Sequence, residues 1–112
     1  MLLADRDLSS DIDTLAPNVG DQAALMAELP AWRLVSDNDS QRLQRRFTFD
    51  NYAAALAFTA TVGDLAMQAN HSPVIITASL AVTIIWGSRR DHGLQENDFI
   101  LAAKTERLYR PA

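Results

Sequence analysis

The chain has 112 residues, of which 48% are hydrophobic and 21% charged, and its formal net charge is −4 at pH 7. This length and composition predict one globular domain that can bury a core without help from a metal or a disulfide. The absence of cysteine excludes thiol nucleophiles and cysteine-ligated zinc. The negative net charge argues against nucleic acid as a partner.

The first segment, residues 1–16, is rich in Asp and Ser, and we expect it to form a flexible arm before a single domain at residues 17–112. Its apolar residues follow no basic stretch, so the segment does not resemble a signal peptide. No apolar run reaches the ~18 residues needed to cross a membrane. We therefore expect a cytoplasmic protein that does not bind membranes.

The first half of the domain reads as a helix followed by a hairpin. Apolar residues at helical spacing predict a helix over residues 18–29, which Pro30 ends. Alternation predicts strands over residues 32–36 and 41–49. The intervening "DNDS" is typical of a turn, because Asp and Asn side chains bond to their own backbone.

The second half reads as a long helix, two strands and a last helix. Asp50 is expected to cap an alanine-rich helix that ends before Pro73. The β-branched run "VIITASLAVTIIW" is too long for one strand, and we split it near Ser79. A last helix is predicted over residues 95–109. The order α-β-β-α-β-β-α predicts an α+β two-layer domain, a four-stranded antiparallel sheet with three helices on one face.

The two histidines lie at opposite ends of that β-branched run. His71 follows the end of the long helix, where an imidazole commonly caps the last carbonyl groups. His92 lies in the polar segment "SRRDHG", where solvation is the usual state. Two histidines without cysteine do not predict a metal site, and the chain has no phosphate-binding loop or hydrolase motif. We expect neither metal nor cofactor.

From Leu15 to Leu108 the chain resembles the pterin-4a-carbinolamine dehydratases. The resemblance lies in Trp32 after the first helix, in "RRFTFDNYAAALAFTATVGDLAMQANHSP" and in "GLQENDFILA". It implies the fold derived above and assembly into dimers or tetramers. It also implies, for active members, loss of water from a 4a-hydroxy-tetrahydropterin, for which histidines serve as acid and base.

The family pattern has an acidic residue, two successive histidines, a proline, an aromatic residue, a third histidine and an aspartate. His71, Pro73 and Asp98 match it. At four positions the expected acidic residue, second histidine, aromatic residue and third histidine are replaced, in that order, by Met67, Ser72, Ser79 and Arg89.

These replacements remove groups that could transfer protons. Each positioned acid or base contributes about 10²–10⁴-fold to a rate. A serine hydroxyl does not titrate near neutral pH, and arginine stays protonated. We therefore expect no catalytic residue, with His71 and Asp98 as relics of the site. The residues expected to line a pocket or bind a partner are Trp32, Met67, His71, Ser72, Pro73 and Arg89.

The pattern of losses resembles one branch of the superfamily, the dehydratase-like Rubisco assembly factors of the α-carboxysome. It implies a non-catalytic chaperone that is associated with the carboxysome and has the Rubisco large subunit as client. Apolar residues on both faces of the last two strands favour a homodimer. Arginine is favoured at interfaces, which makes Arg45, Arg46 and Arg90 candidates for the partner surface, although surface arginines are commonly only solvated. Two alternatives stay open: a weak or altered 4a-hydroxytetrahydropterin dehydratase, which is a hydro-lyase, and a dimeric adaptor that binds a helix of another protein.

Overall fold

The computed structural model describes residues 2–8, 19–37, 40–87 and 94–109. Arg89, Arg90 and His92 lie outside the described residues, as do residues 9–16 of the predicted arm. A 3-10 turn at Leu3–Asp5 comes first. It is followed by α1 (Val19–Ala27), β1 (Arg33–Asp37), β2 (Ser40–Thr48), α2 (Tyr52–Ala69), β3 (Val74–Thr77), β4 (Ala81–Trp86) and α3 (Glu96–Leu108).

The four strands form one antiparallel sheet in the order β1-β2-β4-β3. The fold class predicted from the sequence is therefore confirmed. The predicted split of the long β-branched run is also confirmed, since β3 ends at Thr77 and β4 begins at Ala81. The Ala78 N–H donates to the Ala81 carbonyl at 2.8 Å, which closes this turn without glycine, asparagine or proline.

The core lies between the inner face of the sheet and the helices. Alternate residues of a strand point to opposite faces, and here the inner face carries Leu43 and Phe47 of β2 opposite Trp86 and Val82 of β4. These side chains are buried together with those of the helices packed on them, which include Ala55, Phe58, Val62, Phe99, Leu101 and Ala102. This burial of apolar surface is the main source of stability.

The outer face of the sheet is chemically divided. Arg46 of β2 is exposed there, next to Thr83 of β4 in the register. On the β3 side, Val74 and Ile76 alternate with inward residues, and Ile76 is 54% exposed. Within the described residues, one half of the outer face is therefore basic and the other half is apolar.

The ends of two helices differ from their prediction. Asn51 caps α2, because its side chain accepts from the Ala54 N–H at 2.8 Å, whereas Asp50 precedes the cap. The expectation that Asp50 is the cap is wrong. Helix α1 ends at Ala27, and the buried Leu29 lies in a tighter turn in which its N–H donates to the Met26 carbonyl at 2.9 Å.

Residues 2–8 of the predicted arm pack against the domain. Leu3 and Ala4 are buried members of the core. Arg6 forms an ion pair with Glu96, the first residue of α3. The segment between this packed part and α1 lies outside the described residues, so the domain boundary after residue 16 stays a prediction. Among the described helices, none is long and apolar enough to cross a membrane.

Candidate histidine–aspartate site

The end of α2 sets the position of His71. Asn70 adopts the left-handed conformation (φ 52°, ψ 43°), which asparagine tolerates better than most residues. The Asn70 N–H donates to the Met67 carbonyl at 3.2 Å, and the His71 N–H donates to the Ala66 carbonyl at 3.1 Å. These two bonds are those of a Schellman motif, which ends the helix and turns the chain. His71 is therefore held by the cap itself, two residues before Pro73.

The start of α3 sets the position of Asp98. The Asp98 Oδ2 atom accepts from the backbone N–H of Gln95 at 2.8 Å, which satisfies a donor that the first turn would otherwise leave unpaired. A carboxylate in the first turn is also favourable to the helix dipole. The capping role thus fixes the carboxylate, and its second oxygen remains available.

His71 and Asp98 form a dyad. The His71 Nε2 atom lies 2.8 Å from Asp98 Oδ1, and the side chains are 19% and 3% exposed, respectively. A carboxylate can only accept, so the ring donates through Nε2–H, and in the neutral ring Nδ1 is an acceptor. Within the described residues the dyad therefore offers one oriented basic nitrogen at a partly exposed imidazole.

The walls around the dyad come from the end of β4. The His71 ring lies 5.8 Å from the Trp86 ring, at an interplanar angle of 33°. The Trp86 indole N–H donates to the Thr105 hydroxyl at 3.1 Å, which fixes the indole in the core. Trp86 is therefore a core residue that also faces the dyad.

Gly87 is a site residue that the sequence analysis missed. Its φ is +90°, and a Cβ atom there would lie 2.3 Å from Leu94 Cδ2 and 3.5 Å from Asp98 Cγ. Only glycine combines this backbone conformation with so close an approach. A glycine directly after a buried strand was the available signal, but its neighbour Asp98 is distant in the sequence.

The other predicted pocket residues do not join the dyad. Met67 is 74% exposed on α2, Ser72 is exposed and Pro73 is half-buried. Within the described ranges, no group of three His, Cys, Asp or Glu side chains could hold a metal ion. Arg89 lies beyond those ranges.

Trp32 belongs to a second cluster, at the other end of α3. Its indole N–H donates to Glu106 Oε1 at 2.7 Å. The same oxygen pairs with Arg45, whose guanidinium lies 4.2 Å from the centroid of the Phe47 ring and 5.1 Å from that of Tyr109. Trp32 and Arg45, which the sequence analysis assigned to a pocket and to a partner surface, are thus joined through one carboxylate.

Arg45 and Arg46 point to opposite faces of the sheet. The Arg45 side chain is 17% exposed and engages the core through Glu106, whereas Arg46 is exposed on the outer face. Neighbouring residues of a strand must separate in this way. A partner surface that contains both of these residues conflicts with this geometry, and of the two Arg46 alone retains a place on it. The place of Arg90 on that surface stays a prediction.

Comparison with known proteins places this fold and site in a family. Residues 18–108 match the family described as Pterin 4 alpha carbinolamine dehydratase. The chain belongs to that family. The match includes both members of the dyad, and the resemblance drawn from Trp32, His71, Pro73 and Asp98 is confirmed at the level of the family.

Curated relatives carry the dehydratase name provisionally. One from Nitrosococcus oceani, provisionally named pterin-4-alpha-carbinolamine dehydratase, is 42% identical over 97 residues, which cover 85% of this chain and 86% of the relative. Another of the same provisional name, from Chlorobium limicola, is 44% identical over 85 residues, which cover 76% and 75% of the two chains.

Two solved structures are similar in fold. A transcriptional coactivator/pterin dehydratase from Brucella melitensis has a TM-score of 0.73 and 20% identity, over 83% of this chain and 97% of that one. A pterin dehydratase-like protein identified as a Rubisco assembly factor in the α-carboxysome has a TM-score of 0.62 and 24% identity, over 73% and 93%. At these identities the similarity is one of fold.

Proposed function

We propose that this protein is a family member that has lost dehydration chemistry and acts by binding another protein. The observation that carries the proposal is the composition of the site. His71 and Asp98 remain as an oriented pair, but the neighbouring family positions hold Met67 and Ser72, which are exposed and cannot transfer protons near neutral pH. Dehydration needs an acid for the leaving hydroxyl and a base for a ring proton.

The client that we propose is the Rubisco large subunit, in or near the α-carboxysome, within the cytoplasm. Support comes from the pattern of lost residues and from the fold shared with a Rubisco assembly factor. The surface that we assign to this contact is the basic half of the outer sheet face, where Arg46 is exposed. Arginine binds carboxylates in bidentate fashion, so an acidic patch on the client would complement it.

A homodimer completes the proposal. On the outer face of the sheet, β3 exposes the neighbouring side chains of Val74 and Ile76. Large apolar side chains that are grouped on a surface typically mark an interface. We expect sedimentation velocity to give a mass of about two chains at micromolar concentration. A monomer at that concentration would contradict the dimer and leave the client contact to be tested by itself.

The dyad favours a second candidate function, that of a weak or altered pterin dehydratase. His71 has a carboxylate that orients it, as a working general base requires. The relatives with 42% and 44% identity also carry the dehydratase name provisionally. If this candidate is right, the reaction is hydro-lyase chemistry on a 4a-hydroxy-tetrahydropterin, and His71 is the residue that takes and returns the proton while Asp98 orients it.

One rate measurement separates the two candidates. We expect wild type to dehydrate the pterin carbinolamine at the uncatalysed rate, or at least about 10⁴-fold below a family member with all three histidines, because two proton-transfer groups are absent. His71→Ala should then leave the rate unchanged. A wild-type rate that falls at least about 100-fold in His71→Ala would establish the weak enzyme and contradict the non-catalytic proposal.

The client contact is tested by co-purification with the Rubisco large subunit from cells that express both. We expect Arg46→Glu to reduce the recovered complex at least about tenfold, since it places like charges against an acidic patch. Gln68→Glu is the control for an added negative charge, because it places one on an exposed residue on the helix side of the domain. Equal recovery of the complex with wild type, Arg46→Glu and Gln68→Glu would contradict the assigned surface. Failure to recover a complex with wild type would contradict Rubisco as the client and leave the adaptor alternative.

A further inference from the structure

The N-terminal strap, defined as residues 2–8, lies outside the residues that match the family yet is part of the packed domain. Leu3 is 1% exposed and lines a groove together with Leu29, which follows α1, and Ala103 of α3. The Leu3 N–H donates to Glu28 Oε1 at 3.2 Å, and Lys104 Nζ donates to the Ala4 carbonyl at 2.9 Å. The strap is therefore held by apolar burial and by backbone hydrogen bonds, not by charge alone.

Two successive residues of the strap reach opposite ends of α3. Asp5 pairs with Arg107 in the last turn at 2.6 Å, and Arg6 pairs with Glu96 in the first turn at 2.8 Å. At 1.5 Å of rise per residue, these two points of α3 are roughly 16 Å apart. The strap thus spans almost the whole helix, and each end can be released separately.

The strap also contacts the supports of both dyad residues. Glu96 lies in the same first turn as Asp98, whose carboxylate caps that turn. Leu8 packs against the core and lines a groove with Leu65 and Ala69, at the end of α2 from which His71 emerges. One short segment therefore braces the two helix ends that the dyad joins.

We propose that the strap positions the dyad and that Arg6 acts on Asp98 through Glu96. The Arg6–Glu96 pair restrains the first turn of α3, and the hydrogen bond from the Gln95 N–H to Asp98 can form only when that turn is in place. A turn that frays releases the carboxylate and, with it, the acceptor that fixes the His71 ring. Arg6 is a positioning residue in this account. This role of Arg6 depends on geometry alone and is independent of the client or reaction proposed above.

The test compares two ion pairs of one strap. Arg6→Ala removes the pair at the dyad end of α3, and Asp5→Ala removes the pair at the far end. An exposed ion pair changes a local equilibrium by on the order of two- to fivefold. We expect amide hydrogen exchange of Gln95 to accelerate by about that factor in Arg6→Ala and to stay at the wild-type rate in Asp5→Ala. The amide of Phe47, in the centre of the sheet, reports global unfolding and should accelerate to a similar small extent in both variants, since each variant loses one native ion pair.

The ring of His71 gives a second readout, which a purely structural contact would not move. In ¹⁵N-histidine-labelled protein, ring nitrogen shifts distinguish the Nε2–H tautomer from the Nδ1–H tautomer. We expect Arg6→Ala to lower the Nε2–H fraction of His71 and Asp5→Ala to preserve it. The exchanged pair Arg6→Glu with Glu96→Arg should restore both the fraction and the Gln95 exchange rate.

Three results would overturn the inference. The first is equal exchange at Gln95 in the two single variants. The second is a tautomer fraction in Arg6→Ala that equals that of wild type. The third is a failure of the exchanged pair to restore either readout, since an ion pair that only needs opposite charges should work in both orientations.

Discussion

The two ends of α3 carry similar constructions with different chemical capacity. At the first turn, Asp98 accepts from the His71 ring and from the Gln95 backbone. At the last turns, Glu106 accepts from the Trp32 indole and pairs with Arg45. Each carboxylate thus joins α3 to the rest of the domain through an aromatic N–H and also accepts from one further donor.

The two clusters differ in whether their donors can exchange a proton. An imidazole can lose or gain a proton near neutral pH, whereas an indole N–H and a guanidinium keep theirs. The cluster at Glu106 can therefore only hold structure, while the dyad can hold structure and carry a proton. A family member that has lost the reaction, as we propose for this protein, can therefore keep the dyad, because the same carboxylate still caps the helix.

The largest effect on stability is expected from a variant that breaks the Glu106 cluster at the last turns of α3. Arg45→Met removes the cation that pairs with Glu106 and covers the Phe47 ring, and we expect a loss of about 2–3 kcal/mol in the free energy of unfolding. The expected loss is at or below the values typical of breaking a fully buried ion pair, because the Glu106 side chain is 32% exposed. Urea unfolding followed by tryptophan fluorescence measures the change.

Arg46→Met is the matched control for that loss. It makes the same substitution one residue further along β2, on the opposite and exposed face, and should change the free energy of unfolding by no more than about 0.5 kcal/mol. If the two variants were equally stable, the Glu106 cluster would not be a structural element and the contrast between the ends of α3 would fail.

The next largest effect on stability is expected beside the first turn of α3, from a substitution of Gly87. Gly87→Ala places a methyl group against Leu94 and beside Asp98 in a backbone conformation with φ +90°, and we expect a loss of about 1–3 kcal/mol. The His71 ring nitrogen shifts should change as well, because Asp98 must move. Gly63→Ala is the control: a Cβ at Gly63 meets nothing within 4 Å, so that variant should be at least as stable as wild type. Unchanged histidine signals in Gly87→Ala would show that the dyad tolerates movement at this wall.

The fold could be predicted because its signals are local. The alternation of Leu43 and Phe47, the alanine-rich run of α2 and the β-branched residues of β3 and β4 each report their own element. The cap of α2 was misplaced by one residue because Asp50 and Asn51 are both good cap formers, and backbone geometry decides between them. The packing of Leu3 could not be foreseen, since a short apolar stretch next to an acidic segment shows no periodicity.

The site could be predicted only in part, because its residues meet across the sequence. His71 and Asp98 were identified through the spacing of a known pattern, and the structure brings them together. Gly87 and Trp86 have no such pattern, and their role follows from the position of β4 beside α3. Arg45 was assigned to a partner surface because arginine is favoured at interfaces. Its actual partner Glu106, which holds it on the inner face, is 61 residues away in the sequence.

The smallest effect tests whether charge also holds the strap at the far end of α3. The hydrogen bond from Arg107 holds the pKa of the Asp5 carboxyl below its ordinary value. A pKa that folding lowers contributes stability above the unfolded value, near 3.9 for Asp, and loses it as the pH falls through the folded value. Wild type should therefore be slightly more stable than Asp5→Asn between about pH 5 and 8, and this difference should shrink below about pH 4. Urea midpoints of the two proteins across this range measure it. A difference that grew as the pH fell would have the wrong sign, and would mean that the Asp5–Arg107 pair does not contribute to stability in solution.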